Sequence, residues 1–104
     1  MENYEKEIGD LLMEIINDYK VDNIDIVNEK YYEHLGTNLL KKETPYILSG
    51  DVLCIFCSRM GIRTNKKNLQ NDLYSVCCLM GIEINLLYGN KEELFFIYLN
   101  HEKL

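Results

Sequence analysis

At 104 residues, with 47% hydrophobic and 27% charged side chains, the chain is long enough for one core and too apolar to be disordered. No run reaches the roughly 18 apolar residues of a membrane span. The acidic start Met1-Glu2-Asn3-Tyr4-Glu5 lacks the basic and apolar segments of a secretory leader, so the expected setting is cytoplasmic, with no membrane partner.

The first predicted helix covers about Tyr4 to Tyr19. Ile8, Leu11, Leu12, Ile15, Ile16 and Tyr19 recur at helical spacing, and Glu5, Glu7, Asp10, Glu14 and Asp18 lie mostly off that stripe. Asp22 or Asn23 is suited to cap a second helix that carries Ile24, Val27, Tyr31 and Leu35 on one face and stops at Gly36. Residues 37–45 read as a polar connector, with Leu39-Leu40 tucked inward and Thr44-Pro45 as a turn or helix start. Ser49 is the expected N-cap of a third helix with Val52, Leu53, Phe56, Cys57 and Met60 on one face. Gly61 ends it, and Ile62 folds back on the last turn. Thr64 or Asn65 opens a fourth helix, whose Leu69, Leu73, Val76, Cys77 and Met80 share a face and whose stop is again Gly-Ile, at Gly81-Ile82.

Beyond Gly81 the period falls to two. Ile82, Ile84 and Leu86 alternate with Glu83 and Asn85, Gly89-Asn90-Lys91 supplies a turn, and Leu94 to Leu99 is an apolar run. That run is apolar on both faces, so it calls for cover on both sides or a further pairing partner. The expected fold is α+β: about four helices followed by a C-terminal β-hairpin, in one domain spanning 1–104. Residues 1–43 form its helical N-terminal part and 44–100 a helix-turn-helix plus hairpin, the outline of a winged helix-turn-helix.

Charge divides unevenly. Residues 1–40 hold ten acids and three bases, 41–80 three acids and six bases, and 81–104 four acids and two bases, which sums to −6. The positive middle raises DNA as a partner. Arg63, Asn65, Lys66, Lys67, Asn68, Gln70 and Asn71 stand at the turn and first turns of the fourth helix, where helix-turn-helix proteins meet the major groove. The same residue types are equally what a solvated turn and polar helix face produce, and the overall charge repels nucleic acid.

Cys54, Cys57, Cys77 and Cys78 match only half of a structural zinc pattern, and all four lie in apolar helical segments where free cysteine packs as a small hydrophobe. No metal or cofactor is expected. His34 and His101 have no nucleophile or carboxylate at a recognisable spacing, and no phosphate loop or His-Glu-x-x-His is present, so no catalytic residue is assigned. The eight tyrosines and the acidic first helix favour a protein partner, with Glu5, Glu7, Asp10, Glu14, Tyr88 and Tyr98 as candidate contacts. The resulting expectation is a small regulatory or inhibitory protein that binds another protein. A winged-helix transcriptional regulator is the alternative, and pairing of two copies is compatible with either.

Overall fold

The stripe of the first helix becomes α1 (Glu5–Val21) in the computed structural model, which describes residues 3–35, 39–63 and 66–100. All six of its stripe residues are buried. In α2 (Ile24–Leu35), Asn23 supplies the cap: its Oδ1 accepts the Asp25 N–H at 2.8 Å, and Val27 and Tyr31 are buried. The predicted stop at Gly36 falls outside the described residues. Leu40 is buried and Leu39 exposed, because the Asn28 amide brackets the Leu40 backbone. It donates to the carbonyl at 2.9 Å and accepts the N–H at 2.7 Å.

The connector ends in a strand that periodicity did not reveal, β1 (Tyr46–Leu48). After it come α3 (Ser49–Met60), α4 (Lys66–Met80), β2 (Ile84–Leu86) and β3 (Phe95–Tyr98). The hairpin of β2 and β3 is present as expected, but it is part of a three-stranded antiparallel sheet in the order β1-β3-β2. Its second strand is thus central, with Tyr46 opposite Tyr98 on one side and Ile84 opposite Ile97 on the other. The strand before α3 is laid beside the last strand, and the class is α+β, with the hairpin extended into a three-stranded sheet.

Both helix stops take the predicted form. Gly61 and Gly81 adopt φ of 64° and 70°, where a Cβ would be strained. The following amides turn back, Ile62 N–H to the Cys57 carbonyl at 3.0 Å and Ile82 N–H to the Cys77 carbonyl at 2.9 Å. The start of α3 differs from expectation. Leu48 occupies the cap position, and Ser49 is the first helical residue, fully buried. Its hydroxyl oxygen accepts the Phe95 N–H at 3.1 Å and lies 3.4 Å from the Gln70 amide nitrogen. The side chain predicted to cap the helix instead fastens it to β3.

Ile47, Phe95 and Ile97 face the helices and join one core with residues of all four helices, among them Leu12, Val27, Ile55 and Leu73. A polar network spans the other side of that core. Arg59 forks onto Glu14 at 2.8–2.9 Å, Lys30 reaches Glu14 at 3.3 Å and Asp18 at 2.7 Å. The buried Tyr31 hydroxyl lies 2.7 Å from Asp18 and 2.9 Å from Glu14. Among the described residues, no helix is long and apolar enough to cross a membrane.

Candidate protein-docking face

Pleating sends alternate residues of a strand to opposite faces. In β3, Phe95 and Ile97 are buried against the helices, and Phe96 and Tyr98 are half-buried on the outer side. The register sets Leu48 beside Phe96 and Tyr46 beside Tyr98 on that same outer side. The Tyr46 ring centroid stands 6.1 Å from that of Phe96 and 5.3 Å from that of Tyr98. Two rows of apolar and aromatic pairs therefore cover the β1–β3 part of the outer face, and Asn85 of β2 lies beside Phe96.

A third row continues past the strand end. Leu94 shares the parity of Phe96 and comes level with Gly50 at the start of α3. A Cβ built on Gly50 would lie 3.2 Å from the Leu94 Cδ2, so the absence of a side chain there lets Leu94 lie across the helix start. Leu87 opens the turn that the Gly89 N–H closes on the Leu86 carbonyl at 3.2 Å, and the Leu87 and Leu94 side chains are 46% and 42% exposed. Tyr88, at the tip of the loop and 66% exposed, leans over an open groove of about 900 Å³ between the loop and the starts of α3 and α4. Leu48, Leu53, Cys54 and Leu94 line its apolar part.

The loop is held in place from beneath. The Gln70 amide donates to the Glu93 carbonyl as well as approaching Ser49, and Tyr74 meets Phe95 edge-on at 6.1 Å. Lys91 sits over the Tyr74 ring, and Lys67 reaches Glu92 at 3.8 Å.

The residues singled out as DNA contacts differ in exposure. Arg63, Lys67 and Asn68 are exposed around the head of α4, and Lys66 is its first residue. Asn65 lies outside the described residues. Gln70 is buried and its amide holds the loop, so it is turned away from any groove-reading position. Asn71 is half-buried, its Oδ1 lacking a hydrogen-bond partner among the described residues.

The protein-contact candidates divide between two elements. Tyr98 is on the outer sheet face and Tyr88 on the adjoining loop. Glu5, Glu7, Asp10 and Glu14 are on α1, where Glu7 and Asp10 are exposed and Asp10 lies 3.9 Å from Lys6. Glu14 is taken up by the polar network, and the Arg59 guanidinium holds its carboxyl at about 2 despite the opposing effect of burial. Sequence periodicity missed Tyr46, Leu48, Leu87, Phe96 and Leu94. Only the two-sided apolar run after Leu94 hinted at them.

The four cysteines differ in exposure: Cys54 and Cys57 are half-buried and Cys78 is exposed. Cys77 is buried, and burial pushes its thiol up to about 12, far from the thiolate a metal or a redox partner requires. Among the described residues, no three His, Cys, Asp or Glu side chains are grouped to hold a metal ion. His34 is within the α2 span and His101 is outside the described residues. No family model, curated protein or solved structure matches this chain.

Proposed function

We propose that this chain is a small regulatory or inhibitory protein that acts by binding another protein through the outer face of its sheet. The observation that carries the reading is the uncharged strip formed by Tyr46, Tyr98, Leu48, Phe96 and Leu94, partly exposed along one side of the sheet, with the exposed Leu87 in the adjoining turn. Contiguous apolar surface enriched in aromatic side chains is characteristic of interface centres, where rigid rings bury much area at little entropic cost.

The winged helix-turn-helix connectivity, with Arg63, Lys67 and Asn68 exposed at the head of α4, favours a second reading as a DNA-binding regulator. Charge weighs against it. The loop that would track the duplex carries Glu92 and Glu93 against Lys91, and Lys67 is already drawn to Glu92.

The test pairs two measurements. Capture from a cell extract is compared between the wild type and a Leu87→Asp/Leu94→Asp variant. Both sites are well exposed, so the melting temperature should hardly change. A partner retained by the wild type and lost by the variant supports docking through the face, and sedimentation identifies a second copy if that is the partner. Retention by both refutes it. In parallel, fluorescence anisotropy of random-sequence duplex DNA is titrated across salt. Steeply salt-dependent binding that Lys67→Glu abolishes would put the DNA reading first.

A further inference from the structure

We propose that the partner segment docked on this face is basic: an apolar or aromatic anchor flanked by lysine or arginine. The inference rests on the protein-binding reading and specifies its partner. The strip itself carries no charge, but its borders are acidic. At one end, the Tyr98 N–H donates to the Glu83 carbonyl at 3.0 Å, and strand alternation sends Glu83 outward with Asn85. At the other end, Asp51 stands in the first turn of α3, and Glu92 and Glu93 stand on the loop, all three lining the groove. Among the described residues, Lys67 is the one base lining that groove, 3.8 Å from Glu92, and Lys91 on the same loop is turned over the Tyr74 ring. Among the described residues, three groove-lining acids stand against one groove-lining base, on a molecule whose formal net charge is already −6.

An apolar centre with a charged border divides the work of recognition. The centre supplies affinity by excluding water, and the border sets approach rate and selects among partners by sign. The groove of about 900 Å³ can receive one large side chain beside Tyr88, Leu94 and Leu48, and the carboxylates around it are placed to meet cations on either side of that anchor. An acidic or phosphorylated segment would meet like charge at both ends of the strip.

The test pans a displayed library of short random peptides against the full chain. Enriched peptides are then measured on the wild type, on Leu87→Asp/Leu94→Asp and on Glu92→Lys/Glu93→Lys, with melting curves to confirm folding. The expected peptides carry an apolar or aromatic residue flanked by lysine or arginine. They lose binding on the apolar-face variant, weaken about tenfold or more on the charge-reversed variant, and weaken on the wild type as salt rises. The salt titration needs no variant, so the charge argument is tested even if the charge reversal unfolds the protein. Neutral or acidic peptides that need Leu87 and Leu94 but ignore salt and Glu92/Glu93 would overturn the basic partner and leave the docking face standing. No enrichment, or peptides indifferent to Leu87→Asp/Leu94→Asp, would overturn both.

Discussion

Ser49→Ala tests the fastening between α3 and β3 with a change of a single oxygen atom. In the wild type that oxygen is fully buried, accepts the Phe95 N–H at 3.1 Å and stands 3.4 Å from the Gln70 amide. Alanine leaves the buried Phe95 amide without this acceptor, and an orphaned buried donor costs about 1–3 kcal/mol. Alanine also favours the helix over serine by roughly 0.5 kcal/mol, which offsets part of the loss. The net expectation is a destabilisation of about 1–2 kcal/mol, or a fall in melting temperature of roughly 4–16 °C for a domain of this size. Thermal and urea denaturation followed by circular dichroism give the magnitude, and amide hydrogen exchange locates it, since Phe95 should lose protection. Asn68→Ala, on the exposed side of α4, serves as the control and should stay within about 0.5 kcal/mol of wild type. A melting temperature within about 1 °C of wild type, with Phe95 still protected, would show that the hydroxyl is not holding the strand.

Arg59→Gln should make stability depend differently on pH. Arg59 pulls the Glu14 carboxyl from an ordinary 4.5 to about 2, with Tyr31 and Lys30 assisting. A depressed folded-state pKa contributes stability that is complete above about pH 4.5 and lost as pH falls toward 2. The wild type should therefore melt higher than the variant near neutrality, and the two curves should converge on acidification. A gap that stays constant from neutral pH down to about 2 would refute the assignment. Gly81→Ala meets no atom within 4 Å, so its cost is the left-handed backbone alone, about 1–2 kcal/mol, read as a lower urea midpoint with unchanged slope. An unchanged midpoint would mean that the helix ends without needing that conformation.

The parts of the fold legible in the sequence are those whose signal is local. The stripe of α1 spans four turns, the glycine stops repeat the same chemistry, and the hairpin has both alternation and a turn. Tyr46-Ile47-Leu48 has none of these advantages: three residues cannot display a period, and their partner lies 50 positions away. Gln70 has a side chain of a type that suits adenine, but its helical phase sets it beside Cys77 and close to Leu73 on the inward face. The docking face was half legible. An apolar run with two apolar sides calls for cover on both sides or a further pairing partner, but only the register shows that the partner is β1 and that Tyr46 and Leu48 continue the outer strip.

The position of β3 also bears on how the molecule is made. Of the seven elements among the described residues it comes last in order, yet it lies in the middle of the sheet and supplies Phe95 and Ile97 to the core. During synthesis β1 and β2 must wait on either side of a gap, with Ile47 open to water and the buried hydroxyl of Ser49 without its strand. Closure pairs residues about 50 apart in a single late event, so the helices can assemble early but the sheet cannot. A nascent chain stalled within the 87–94 loop is thus expected to display apolar surface that the completed protein hides, and to be the form most exposed to chaperones and proteases.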